Sequence, residues 1–454
     1  MNGIARRRRP PGLRLALGLC ALASAPLAGQ TNAGVPTTLA GAVARALDVH
    51  PSVEAAEAAA RSAEAARTSA RSARLPHLSV ESSATRFQEP MLVAPLHGFD
   101  PTTVPDFDAT LVRGTLAAGY TVFDGGRRGA RIHRAEALVE AGRAARDEAE
   151  AALILRTADA WLGVLTAREL VRAQESREAA LDEEVERARR LLDEGAAPRL
   201  VLLRAEADRA SVQADGESAR QALHLARSDL ARILEVAPED LVDAPMEAPV
   251  AHEEPPSEID AAPPGLRAPA IARAQAAAEA AEAEVDAARA AWLPTLEAQL
   301  GYGLYAGGGV DAVAEWQAGV QIRYPIFAGG ARAGEVERAE AEAARARAQA
   351  RIVEDETARA VDAATAAEVE ARRRIVALET AVASFTELSR VERLALDEGA
   401  GTQSDWLRAE AGLFQSRAAL AEARFSALRA RLARARALGR LDLAWIQSLS
   451  EMTP

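Results

Sequence analysis

Cysteine is almost absent, with Cys20 the only one among 454 residues. It lies in a leader-like opening segment, so the rest of the chain has neither disulfides nor thiol chemistry. Aromatic residues are scarce at 4%, while Ala, Arg, Glu and Leu dominate. That mix suits long helices rather than a globular enzyme. Excess positive charge is missing too: the formal net charge is −12, which argues against nucleic acid as a partner. After the first thirty residues no apolar run reaches the roughly 18 residues of a membrane helix. The six histidines (His50, His77, His97, His133, His224 and His252) are scattered without ligand spacing, and there is neither a P-loop nor a Gly-x-Ser-x-Gly. No catalytic residue, metal site or cofactor is therefore expected, and the chain is not read as an enzyme.

What is present begins with that opening segment. Residues 1–29 carry Arg6 to Arg9, then an apolar run from about Leu13 to Leu22, then small residues near Ala25 to Gly29. This reads as a secretory signal peptide. Its removal takes away five arginines, no acid and Cys20. Gln30 stands where a lipoprotein would need cysteine, so an acyl anchor is not expected. An exported chain without a membrane helix either stays soluble or crosses an outer membrane as a barrel.

The rest is two copies of one unit. Tyr120-Thr-Val-Phe-Asp-Gly-Gly-Arg-Arg128 recurs as Tyr324-Pro-Ile-Phe-Ala-Gly-Gly-Ala-Arg332. Leu192-Asp-Glu-Gly195 recurs as Leu396-Asp-Glu-Gly399, also 204 residues on. Upstream, Pro51 matches Pro269 and Leu75-Pro76 matches Leu293-Pro294, 218 residues on. The first copy thus has 14 extra residues between Pro76 and Tyr120, expected as a longer surface loop within 88–106. The repeats are placed at 36–237 and 266–440. Between them a connector, 238–265, is acidic and rich in proline, and a tail follows at 441–454.

Each copy opens with a helix and then alternates apolar and polar residues over two strands, at 77–123 and 295–327. In the second copy Leu296, Ala298, Leu300, Tyr302 and Leu304 oppose Thr295, Glu297, Gln299, Gly301 and Gly303. Eleven of the 17 aromatics fall within Phe87 to Phe123 or Trp292 to Phe327, including all four tyrosines. Alternation over about ten residues with aromatics at the ends fits strands crossing an outer membrane. Arg113, Glu297, Gln299, Glu315, Gln317, Gln321 and Arg323 would then face a water-filled lumen. Four strands cannot close a membrane barrel, and open edges are not tolerated in lipid. Other copies of the chain would have to complete it.

Both motifs lead into 69 residues without proline, with long helices expected at 126–194 and 330–398. A continuous helix of that length reaches about 100 Å. Coiled-coil spacing shows at Ile154, Ala158, Trp161 and Leu165, at Leu181, Val185, Ala188 and Leu192, and at Ile375, Leu378, Val382 and Phe385. Tip turns at 195–199 and 399–403 lead back into helices at 200–236 and 404–438. Pro198 would fall in the first turn of its helix and Thr402 or Ser404 would cap the other. The double glycines Gly125-Gly126 and Gly329-Gly330 are read as strand-to-helix joints, with Phe123 and Phe327 filling the junction core.

Together, the paired motifs, hairpins and tip turns resemble the TolC family of outer-membrane efflux proteins over nearly the whole chain, Val35 to about Gly439. The resemblance implies an α+β membrane protein. Three copies would each give four strands to one twelve-stranded β-barrel in outer-membrane lipid, and their helices would form a long periplasmic α-barrel. It implies a homotrimer that passively conducts small molecules from an inner-membrane transporter of RND or ABC type through a periplasmic adaptor. Gly195, Ala196, Ala197 and Pro198, with Gly399, Ala400, Gly401 and Thr402, are candidate adaptor-facing tips. Asp405 matches an acid position of the family's periplasmic aperture; Arg408 departs from it, as does Val201 in the first copy. A mixed Asp405/Arg408 girdle is the expectation, against a simple solvated pair. A type I protein-secretion duct uses the same kind of conduit. An exported coiled-coil scaffold without a pore is the reading from a different class, and it leaves the strands unexplained.

Overall fold

The computed structural model describes residues 36–97, 102, 104–248, 268–309 and 311–451. The signal segment and most of the connector lie outside them. The two proline-free stretches are helices of 67 residues each, α3 (Arg127–Asp193) and α6 (Ala331–Asp397). Each turns back into a shorter helix, α3 into α4 (Arg199–Leu234) and α6 into α7 (Gln403–Ala437), and packs along it. Ahead of the long helices lie α2 (Pro51–Ser72) and α5 (Pro269–Ala290), both with proline in the first turn. Helix α2 packs on α3, whereas α5 packs on both α3 and α6.

The two repeats are alike down to their ion pairs. Arg71 meets Glu136 at 2.6 Å and Arg143 meets Glu64 at 3.0 Å. In the second repeat Arg289 meets Glu340 at 2.8 Å and Arg347 meets Glu282 at 2.6 Å. Each pair maps on its counterpart by 218 residues on the short helix and 204 on the long one. Exposed pairs of this kind contribute little stability. Their recurrence shows that both short helices lie on their long helices in the same register.

The strands β1 (His77–Leu92), β2 (Phe107–Phe123), β3 (Thr295–Gly307) and β4 (Val313–Arg323) form one antiparallel sheet in sequence order. Partners such as Thr115 and Gly303 on β2 and β3, or Tyr302 and Trp316 on β3 and β4, keep odd and even residues on opposite faces. One face is apolar and open: Leu78, Val80, Leu116, Leu300, Tyr302, Trp316, Val320 and Ile322 are all exposed. Among the described residues, no strand lies beside the outer edges of β1 and β4.

Four details differ from the sequence reading. The helix opening the first repeat is preceded by a separate one, α1 (Leu39–Val49), split off at His50-Pro51; His50 Nδ1 accepts from the Ser52 N–H at 3.2 Å and caps α2. Strand β4 ends at Arg323 instead of near 327, because Pro325 has no N–H for a ladder. The 14 extra residues of the first copy are shared between a longer loop and longer strands. The tail holds a further helix, α8 (Leu443–Glu451), which buries Ile446 and Leu449 and packs on α1.

The first part of the connector is built into the core. A 3₁₀ turn at Pro238–Leu241 buries Leu241 completely, and Arg168 donates to the carbonyls of Leu241 and Ala244 at 3.0 and 3.1 Å. Trp161 is fully buried and donates its indole N–H to the Glu247 carbonyl at 3.2 Å. Other large, fully buried side chains sit on α3, α4 and α7, such as Leu162, Leu230, Leu234 and Leu432, with Val43 on α1 and Ile446 on α8.

Candidate functional site

The polar face of the sheet carries all seven candidate lumen residues. In the strand register Arg113 opposes Tyr305, Glu297 opposes Gln321, Gln299 opposes Gly319 and Gln317 opposes Gly301. Arg323, opposite Thr295, completes this face. Long side chains lie flat on it over glycines. A Cβ built on Gly303 would come within 2.6 Å of the Tyr305 ring, and one on Gly301 within 3.0 Å of Gln317 Cγ. Arg113 stacks on Tyr305, 5.5 Å from the ring centre. Glu315 is engaged, with Oε1 2.5 Å from His97 Nε2 of the β1–β2 loop.

Below the sheet, all four joint glycines have left-handed backbone: Gly125 at φ +69°, Gly126 at +93°, Gly329 at +60° and Gly330 at +87°. Such angles cost glycine little and strain most other residues. Both pairs let the backbone leave extended geometry and start α3 and α6. The first joint is clasped by Asp124. Its carboxylate accepts from the Gly126 N–H at 3.2 Å and from the Arg128 N–H at 2.9 Å, and pairs with Arg128 Nε at 3.0 Å. Arg128 also donates to the Ala73 carbonyl at 3.3 Å, tying the joint to the end of α2. The second joint has Ala328 in place of Asp124, and its Arg332 stacks on Trp292 at 4.6 Å. Asp124 is one of four positions at which the two motifs differ, with Thr121, Val122 and Arg127, and nothing in the spacing alone marks it as a cap. Phe123 and Phe327 do not fill a junction core within the protomer; they are 45% and 87% exposed. Phe123 ends β2 and Phe327 follows β4, and the described residues leave both on an outer surface.

Removing the clasp is a moderate change. Asp124→Ala loses a cap and an ion pair that is mostly buried, a destabilisation of about 1 kcal/mol. A fall of a few degrees in thermal unfolding, with the fold retained, is the expected result. An unchanged unfolding temperature would show that the clasp is not used.

At the far end both tips close α3 and α6 in the same manner. Gly195 and Gly399 have φ +70° and +73°. The Ala196 N–H donates to the Leu191 carbonyl and the Ala400 N–H to the Ala395 carbonyl, each at 2.8 Å, as in a Schellman closure. Pro198 is the cap residue itself and not part of the first turn, since α4 begins at Arg199. Thr402 caps α7. The tips therefore have a shown structural role. Leu200 and Leu203, which the sequence reading passed over, are exposed beside the first tip.

Asp405 and Arg408 are brought together. Arg408 Nη1 lies 2.9 Å from Asp405 Oδ1, Arg408 also donates to Ser404 Oγ at 3.1 Å, and the Thr402 hydroxyl donates to Asp405 Oδ2 at 2.6 Å. Arg408 is well exposed and Asp405 half-exposed. The pair thus closes the N-terminal turn of α7, and its charges largely cancel locally.

A family model described as outer membrane efflux protein matches residues 42–235 and 266–440, one stretch on each repeat. Among solved structures, the chain is similar to the outer membrane protein VceC of Vibrio cholerae, with 22% identity over 88% of this chain and 96% of that one and a TM-score of 0.75. It is similar to the Campylobacter jejuni CmeC outer membrane channel, with 18% identity over 97% and 98% of the two chains and a TM-score of 0.77. The open state of the Neisseria gonorrhoeae MtrE outer membrane channel matches with 21% identity over 88% of each chain and a TM-score of 0.72. At these identities the likeness is one of fold. A search of curated proteins found no significant match.

Proposed function

The chain belongs to the outer membrane efflux protein family, and from that premise we propose that it is the outer-membrane conduit of a tripartite pump. Three copies give their four-stranded sheets to one barrel and their long helices to a periplasmic tunnel. Small molecules pass through it passively, delivered by an inner-membrane transporter and a periplasmic adaptor that meets the tips around Gly195–Pro198 and Gly399–Thr402. The observation that carries this reading is the sheet. It combines an open apolar face suited to lipid with a polar face of mixed charge, and its two edges are unfilled. Only closure by further copies removes such edges in a membrane.

The polar face supplies Arg113 and Arg323 against Glu297 and Glu315, a wall that wets the duct without a single strong sign. The test is reconstitution of the purified protein into planar bilayers. Stable, voltage-tolerant conductance from trimers is expected. A water-soluble, non-conducting protein would overturn the reading in favour of a scaffold.

At the inner end the Asp405/Arg408 pairs form a girdle of alternating sign. Arg408→Ala leaves three unpaired acids and is expected to raise cation selectivity severalfold. Asp405→Ala should shift it the other way. Reversal potentials under a salt gradient measure both, and no change in either variant would sink the girdle.

A further inference from the structure

Within the chain, the first repeat already holds the second: α3 packs on α5, and β2 pairs with β3. The second repeat lacks the counterpart of these contacts among the described residues: α6 packs on α5 and α7, and β4 pairs with β3 alone. Its burial records this. Helix α3 has 20 buried residues and α6, of equal length, has eight. Helix α5 has eight buried residues, and α2, also of equal length, has one. At the first joint Leu293 sits against Gly125, so that an added Cβ would come within 2.7 Å of it; at Gly329 nothing lies within 4 Å. Leu75, the counterpart of Leu293, is 67% exposed.

We propose that α6 and β4 of one copy seat α2 and β1 of the next in the register that joins β2 to β3 inside the chain, setting Glu81 opposite the partner's Arg323. The inference rests on the channel reading above and adds the residue-level register. The register follows from the internal repeat. Leu116 opposes Tyr302 and Gly119 opposes Gln299. Shifting β2 by 204 and β3 by 218 places Val320 opposite the partner subunit's Ala84, and Arg323 opposite the partner subunit's Glu81. All 11 residues of β4 then find places within β1. Glu81 and Arg323 lie on the polar face, are exposed, and have no ion-pair partner among the described residues. Directly opposed unlike charges favour a strand pairing, and a one-residue slip would turn each strand's apolar face to water. The same operation places Leu75 over the open Gly329 joint of the partner.

Cysteine pairs test the register, since Cys20 is the only native cysteine. Directly opposed cysteines are close enough to bridge, while pairs slipped by two residues are too far apart. Oxidation of Ala84→Cys/Val320→Cys in outer-membrane fractions should give covalent dimers and trimers at least severalfold above Ala84→Cys/Ala318→Cys and Ala84→Cys/Ile322→Cys. Strongest cross-linking in either slipped pair overturns the register. Trimers that cross-link at none of the three overturn the edge assignment. A wild-type chain that forms no trimer in detergent extracts defeats the channel reading itself, a distinct outcome. Glu81→Arg and Arg323→Glu should each lower the temperature at which trimers dissociate, and the double swap should restore it. A double variant no better than either single one would show that the charges do not pair.

Discussion

Gly125→Val should leave no assembled channel in the outer membrane. Its φ of +69° lies where a β-branched residue is strained, at a cost of roughly 1–2 kcal/mol. Space is the larger obstacle. An added Cβ alone would lie 2.7 Å from Leu293 Cβ and 2.9 Å from the Ala290 carbonyl. Neither neighbour can step aside cheaply. Ala290 ends α5, and Leu293 sits two residues before β3. Moving them shifts the entry of β3 and thereby its pairing with β2. Overpacking of this kind adds about 1–3 kcal/mol. Gly126 isolates the backbone contribution, since nothing lies within 4 Å of its Cβ position. The expected order of damage is Gly126→Ala, then Gly125→Ala, then Gly125→Val. Heat-modifiable trimers in outer-membrane fractions measure it. A normal trimer yield from Gly125→Val would refute the joint as described.

The joint also shows how much could be read in advance. Paired glycines, alternating strands and 69 proline-free residues are local, periodic signals, and they placed the elements that position the duct. The repeated ion pairs were legible too, since Arg71, Glu136, Arg143 and Glu64 recur at offsets of 218 and 204. What stayed hidden depends on contacts distant in sequence. Nothing local shows that Gly125 meets Leu293, 168 residues away, or that Trp161 donates to the Glu247 carbonyl. Phe123 and Phe327 mislead for the same reason: an aromatic at a strand end reads as core until its neighbours are known. The Asp405/Arg408 pair was found by its place after the tip, while its role in closing the first turn of α7 emerged only from distances.

One buried acid within the coiled coil carries the second large effect. Glu184 follows Leu181 by three residues on α3, within a seam that sequence spacing marks as apolar. It is 2% exposed, and its Oε1 has no hydrogen-bond partner among the described residues. Burial raises its pKa to about 7, against a smaller lowering by Arg187. The folded chain therefore holds a proton on Glu184 up to near neutrality, whereas the unfolded chain releases it near 4.5. Between those values the native state binds more protons than the unfolded one, so stability falls as pH rises through the window and is level on either side. A displacement of this size corresponds to about 3 kcal/mol. The second repeat has Leu388 at the equivalent position, which identifies the replacement to make. Glu184→Leu should raise the thermal midpoint by several degrees at pH 8 and by much less at pH 5. Glu184→Gln should flatten the same pH dependence without gaining the apolar contact. Far-ultraviolet circular dichroism of the detergent-solubilised protein, scanned across that range, decides it. Equal shifts at both pH values would mean that Glu184 is ionised in the folded chain, and that the seam around Val185, Ala188 and Ala205 admits water.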